Sequence, residues 1–300
     1  MRANAMCISC ILSKQEKIIR NFQDDDKKSE YIHQVLGILY EHGCTKSSPW
    51  LAEKINQTYE KFWGACEDYS LIKHHYNALL VEKEAEIIQK IEASQDCLKE
   101  CIKYASVGNY IDFSAVENVN ENMLETLLER AKIEQISEKE YTYLKKDLGK
   151  ARKMVYLTDN CGEIVLDKIF ISFIQKLYPQ LYITVIVRGE TVLNDATLED
   201  AKEIGLTKQV HCITNGNGAP GTVYGSLSEE AKQVLKEADV IISKGQGNFE
   251  SLVGEGFNPY YIFLCKCELF VRRFGLQQYE SVFMKEERLN EGLLQGGVLE

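Results

Sequence analysis

The stretch MVYLTDNCGE, Met154 to Glu163, decides how the rest of the chain is read. MVYLT is apolar, rich in strand-forming residues and unbroken by Gly or Pro. It is closed by Asp159, Asn160, Gly162 and Glu163, which lead directly into a helix-like run. A strand that is apolar throughout and is followed at once by a helix belongs in a parallel sheet covered on both faces. The same unit recurs. YITVIV (Tyr182–Val187), QVHCIT (Gln209–Thr214), DVIIS (Asp239–Ser243) and YYIFLC (Tyr260–Cys265) are further expected strands. Between the first two, Ile169, Phe170, Phe173, Ile174 and Leu177 recur at helical spacing and stop at Pro179. Between the third and fourth, Ser228 opens a helix carrying Ala231, Val234 and Leu235. The expected class is α/β, a three-layer αβα domain with a mainly parallel sheet.

Upstream the pattern is helical only. Ser48-Pro49 reads as a helix start, with Ser48 as N-cap and Leu51, Ile55, Tyr59 and Phe62 following. A longer helical pattern runs from about Tyr69 to Tyr104, and Ser137 with Glu140 has the form of a capping box opening a helix that ends near Gly149. These features predict an N-terminal all-α domain over residues 1–150, an α/β domain over 151–290 and a tail over 291–300.

Composition narrows the function. Of 300 residues, 35 are Lys or Arg and 45 are Asp or Glu, a net charge of −10. That argues against nucleic acid as a partner, which requires a positive field to release counterions. No run approaches the roughly 18 apolar residues of a membrane span, and the N-terminus lacks the form of a secretory signal; a cytoplasmic protein is expected. The ten cysteines are expected to be reduced. Cys7-x-x-Cys10 could ligate a structural metal or act as a redox pair, with Cys97 and Cys101 as a conceivable second ligand pair; a packed local feature is the simpler reading. His74 and His75 read as solvated surface.

In an open parallel sheet the ligand lies beyond the carboxyl ends of the strands. The expected ends carry Asp159, Asn160 and Glu163; Arg188, Asn194 and Asp195; Lys244, Gln246 and Asn248; and Lys266. Carboxylate and amide oxygens suit Mg²⁺ and Mn²⁺ rather than Zn²⁺. The cations, the glycines around Gln246 and a helix beginning near Gly162 suit an anion. Together they suggest a phosphoryl group held between a divalent cation and basic side chains. Hydrolysis of a phosphate monoester is the simplest reaction that uses every part. The alternative is a regulatory protein that binds a nucleotide or other phospho-ligand without hydrolysing it.

TDNCGEIVLDK, VRGETVLNDATLEDA, ADVIISKGQGNFESL and YYIFLCKCE, in that order, resemble the damage-control phosphatase family, long catalogued as domain of unknown function 89. Cys7-x-x-Cys10 and GNYIDF (Gly108–Phe113) resemble its compact archaeal and bacterial branch. The resemblance implies a metal-dependent phosphatase for small, often damaged, phosphorylated metabolites such as nucleotides or sugar phosphates. It implies Asp159, Asn160 and Asp195 as ligands of a divalent metal, Mn²⁺ first, with Ni²⁺, Co²⁺ or Mg²⁺ as alternatives. It also implies Lys244, Asn248 and Lys266 on the substrate phosphate, to which Arg188 and Gln246 are added from the strand-end reading. Glu163 and Asp195 are candidates for accepting a proton from the attacking water, and Asp159 as a direct nucleophile is a variant of the same chemistry.

Overall fold

The computed structural model of the chain describes residues 1–64, 68–110, 126 and 129–289. Cys66, the last three residues of GNYIDF and the tail over 291–300 lie outside the described residues. The sheet has six strands: β1 (Lys153–Leu157), β2 (Tyr182–Val187), β3 (His211–Thr214), β4 (Val240–Lys244), β5 (Tyr260–Leu264) and β6 (Ser281–Lys285). Their order across the sheet is β3-β2-β1-β4-β5-β6. The first five pair in parallel and β6 runs antiparallel against β5. The α/β class is therefore as expected, and all five expected strands form with ends that move by at most two residues. The sixth was not anticipated. SVFMK is short, ends in a charge, and gains its strand character from pairing with β5 rather than from its own pattern.

The chain winds outward from β1 in one direction to β3, then returns to β4 on the other side of β1 and continues outward. The order reverses between β1 and β4, and beyond the carboxyl ends of those two strands opens the crevice where doubly wound sheets hold their ligands.

The named helices of the described residues are α1 (Ala5–Ile19), α2 (Asp25–His42), α3 (Ser48–Trp63), α4 (Ser70–Glu92), α5 (Cys97–Val107), α6 (Glu138–Lys150), α7 (Glu163–Leu177), α8 (Leu198–Glu203), α9 (Glu229–Lys236), α10 (Gln246–Leu252) and α11 (Glu268–Phe274). Alternate strand residues feed opposite cores, as the two-residue period of a strand requires. Met154, Tyr156, Val185 and Ile242 face the side covered by α4 to α8. Val155, Leu157, Ile241 and Phe263 face the side covered by α9 to α11.

The packing bears on the expected division at residue 150. That position marks where the sheet begins, but the core does not divide there: Tyr76, Leu80, Ile102 and Leu144 belong to the same buried cluster as the strands. A separate core is built by α1 to α3, from Ile19, Tyr31, Val35, Leu39, Leu51 and Ile55. Two helix expectations also shift. Ser47, not Ser48, is the N-cap of α3, which places Pro49 one position deeper in its first turn. The long pattern from Tyr69 to Tyr104 is two helices, because Asp96 leaves helical conformation and accepts the Lys99 N–H to cap α5. Ser137 caps α6 as expected, its hydroxyl accepting the Glu140 N–H.

Candidate functional site

The loop after β1 and the loop after β2 are laced together by their backbones. Asn160 and Asp195 form an isolated antiparallel bridge. The Cys161 N–H donates to the Asn194 carbonyl at 2.9 Å and the Ala196 N–H to the Asp159 carbonyl at 2.8 Å. Asp159 and Asn160 are thereby held beside Asp195, which lies far along the chain from them. Arg188, at the end of β2, touches both carboxylates: its Nε donates to Asp195 Oδ2 at 2.6 Å, and its Nη2 lies 3.5 Å from Asp159 Oδ1. The two carboxylates thus stand no farther apart than one guanidinium can bridge. Nη2 has no hydrogen-bond partner although it is buried.

Asp159 is oriented from three sides. Its Oδ2 accepts Nδ2 of Asn109 at 3.0 Å and Nδ2 of Asn160 at 2.8 Å. Behind it stands Gly245, whose φ of +81° disfavours any side chain; a Cβ there would fall 2.1 Å from Asp159 Oδ2. The conformation and the close approach both require glycine.

Beneath this layer lies a second one. Lys244, the last residue of β4, is fully buried and donates to Glu163 Oε1 and to Asp167 Oδ1, each at 2.6 Å. Glu163 Oε2 accepts from Asn109 at 3.0 Å and Asn160 at 3.1 Å. Asp167 Oδ1 also accepts the Tyr156 hydroxyl at 2.6 Å. Asn248, on α10, donates both amide hydrogens, to the carbonyls of Thr158 (2.9 Å) and Lys244 (2.7 Å). Its oxygen accepts from Arg188 Nη1 (3.0 Å) and the Thr222 hydroxyl (2.8 Å). Every hydrogen-bonding position on that side chain is filled.

Three of the residues expected to meet phosphate or water have buried protein partners. Lys244 and Asn248, expected on the phosphate, are spent on buried protein partners. Glu163, expected as a proton acceptor, is fully buried with both oxygens occupied. Burial alone would raise its carboxyl, but the Lys244 ammonium outweighs this and holds it below the ordinary range. Gln246 is also engaged, through Glu250 at 2.7 Å and the Lys266 backbone N–H at 3.2 Å. Lys266 itself is exposed, and its charge acts on both Asp159 and Glu163.

The charges do not balance. Asp159, Glu163, Asp167 and Asp195 are four carboxylates in contact with two buried cations, Arg188 and Lys244. Burial, reinforced by Asp195 and Glu163, pushes Asp159 up to about 7. Burial also raises Asp195, against the pull of Arg188. An excess of negative charge and an all-oxygen donor set at the crevice suit a hard divalent cation. Among the described residues no three His, Cys, Asp or Glu side chains group as a metal-binding set. Two carboxylates and an amide, Asp159, Asp195 and Asn160, are the oxygen-bearing side chains that could hold such a cation.

Several residues of the site escaped sequence reasoning. Asn109 lies in the GNYIDF break that stood out between helices, but nothing in the string pointed it at Asp159. Asp167 could have been found as a lone carboxylate on the apolar face of α7, one turn after Glu163. Asn77 and Lys73 of α4 gave no signal. The cysteines divide: Cys7 packs against the core of α1 to α3 and the core beneath α9 to α11, whereas Cys97 and Cys101 belong to the core on the opposite face of the sheet. The nine described cysteines are free thiols. His74 is exposed, as expected, and pairs with Glu203. No described helix is long and apolar enough to cross a membrane.

Comparison with known proteins agrees with this architecture. Residues 3–282 match the family model of the damage-control phosphatase ARMT1-like domain. A damage-control phosphatase of Archaeoglobus fulgidus is 30% identical over 289 residues, spanning 94% of this chain and 98% of the relative. A damage-control phosphatase of Pyrococcus horikoshii is 27% identical over 294 residues, 96% of this chain and 99% of the relative. A crystal structure of a domain of unknown function 89 protein from the same archaeon superposes with a TM-score of 0.81 at 25% identity, covering 95% of this chain and 99% of that one.

Proposed function

The chain belongs to the damage-control phosphatase ARMT1-like family, and from that premise we propose that it hydrolyses the phosphate monoester of a small phosphorylated metabolite with the help of a divalent cation. The observation that carries the reading is the charge imbalance summed over the two layers of the site. Four carboxylates face two buried cations, and the side chains of Asp159, Asn160 and Asp195 are brought together beyond the strand ends. Those three residues would hold the cation, with Mn²⁺ the first candidate and Ni²⁺, Co²⁺ or Mg²⁺ the alternatives. The chemistry such a cation supplies when bound is Lewis-acid polarisation of the phosphoryl oxygen and neutralisation of charge in the transition state.

The chain's own residues do the rest. Arg188 sets the spacing of the two aspartates and keeps one unsatisfied N–H beside them. Lys266, exposed at the rim, is the lysine free to meet an incoming phosphate and to offset charge that develops on its equatorial oxygens. Lys244, Glu163 and Asn248 form the foundation: they fix Asn160, Arg188 and the first turn of α7 without touching the substrate. A nucleotide or sugar phosphate, intact or damaged, is the substrate class we favour, because relatives over nearly the whole chain are named damage-control phosphatases.

The test is release of inorganic phosphate from p-nitrophenyl phosphate by chelator-treated protein, with and without added Mn²⁺, followed by a panel of phosphorylated metabolites. We expect turnover that depends on Mn²⁺ and is removed by chelator. Binding of phosphorylated ligands with no phosphate release under any divalent cation would overturn the reading in favour of a binding protein.

A further inference from the structure

The two loops that bring Asp159, Asn160 and Asp195 together are also held from outside the sheet, by one face of α4. Asn77 is fully buried. Its Oδ1 accepts the Gly162 N–H at 2.7 Å, and its Nδ2 donates to Asp200 Oδ1 at 2.9 Å and to Glu203 Oε2 at 3.0 Å. Gly162 stands two residues after Asn160. Asp200 Oδ2 caps α8 by accepting the Thr197 N–H and hydroxyl, each at 2.7 Å, two residues after Asp195. Lys73, one helical turn before Asn77 and on the same face, is buried with its Nζ 2.6 Å from Asp200 Oδ2. A single side chain thus grips the first loop with its acceptor and the second with its donors, and a lysine neutralises the carboxylate it grips.

The chemistry of the link is specific. The Gly162 N–H precedes α7 and needs an acceptor because it has none within the helix. Asp200 and Glu203 need donors. An amide answers both demands at once, and a carboxylate at position 77 would face two others. The bridge between Asn160 and Asp195 and the two backbone bonds beside it keep the loops adjacent without Asn77. What Asn77 adds is a fixed outer reference for both.

We propose that Asn77, supported by Lys73, is a positioning residue that sets the spacing of Asp159 and Asn160 against Asp195 and thereby the affinity for the divalent cation. The inference rests on the cation-dependent reading above, and the two fail in distinguishable ways. Mn²⁺ binding by calorimetry and p-nitrophenyl phosphate turnover are measured together on the full chain for wild type, Asn77→Ala, Lys73→Gln and the core control Ile91→Val. Partners outside the ligand shell commonly contribute about 10–100-fold in metal affinity. Asn77→Ala is therefore expected to weaken Mn²⁺ binding by about tenfold or more, with turnover largely recovered at saturating Mn²⁺, and Lys73→Gln to shift it in the same direction by less. Ile91→Val lowers Tm and leaves Mn²⁺ affinity at the wild-type value. A folded Asn77→Ala protein with wild-type Mn²⁺ affinity overturns the inference while leaving the phosphatase reading intact. If Asn77→Ala does not fold, unchanged affinity in Lys73→Gln overturns it equally. Wild-type protein that neither binds Mn²⁺ nor releases phosphate removes both.

Discussion

The loop after β1 and the loop after β4 flank the same crevice, and on paper they look equally equipped for a ligand. TDNCGE offers acids and amides; KGQGN offers a lysine, an amide and glycines. Their side chains have opposite fates. Asp159 and Asn160 stay at the mouth of the crevice, with Asp159 about 14% exposed. Lys244 and Asn248 turn inward and are fully buried. The difference follows from what each can pair with. A buried lysine is tolerable only against carboxylates, and α7 supplies two, Glu163 and Asp167. A polar residue in a ligand-type motif can therefore belong to the footing of a site rather than to its surface.

Removing a residue on the open side should cost most. Asp159→Ala or Asp195→Ala takes away an oxygen of the proposed cation site, where a bound cation contributes several kcal/mol to the transition state, so turnover should fall by about a thousandfold or more. Circular dichroism should be preserved. Wild-type turnover in either variant would break the contrast at its root. On the buried side the loss should appear as stability. Lys244→Met leaves Glu163 and Asp167 uncompensated at a cost of about 3–5 kcal/mol, read as a large fall in the midpoint of urea denaturation. An unchanged midpoint with a raised KM would place Lys244 on the substrate after all.

Gly245→Ala probes the seam between the two sides. The new methyl would collide with Asp159 Oδ2, and a displacement of about 1 Å at a reacting centre costs about 100-fold. The kinetic loss should exceed any loss of Tm. The smallest effect concerns pH. The fold retains a proton on Asp159 up to about 7, whereas the unfolded chain releases it near the ordinary carboxyl value of about 3.9. Stability from this group is therefore present at acid pH and is lost as pH climbs from about 4 through about 7. Tm of the chelator-treated protein should fall across that window, and Asp159→Asn should flatten the slope; an unaltered slope would show that Asp159 is not the titrating group.

Much of this was legible in the string of residues because it depends on local pattern. Five apolar strands, the turns that end them and the oxygen donors at two of those ends all follow from short windows. What escaped depends on partners distant in sequence. SVFMK becomes a strand only beside β5. Asn109 matters because Asp159 lies 50 positions away, and Asn77 because Gly162 lies 85 away. The inward turn of Lys244 requires knowing that Asp167, one turn along α7, faces the same buried space. Composition does announce such residues weakly: a lone carboxylate on an apolar helix face has to be paired with something.

The most direct test of the proposed cation site is an anomalous-difference map from Mn²⁺-soaked crystals collected at the manganese edge. One strong peak is expected in the crevice, contacted by side-chain oxygens of Asp159, Asn160 and Asp195, with Lys244 still paired to Glu163 and Asp167. Manganese bound elsewhere, or a cation in the crevice that leaves Asp195 untouched, would contradict that expectation.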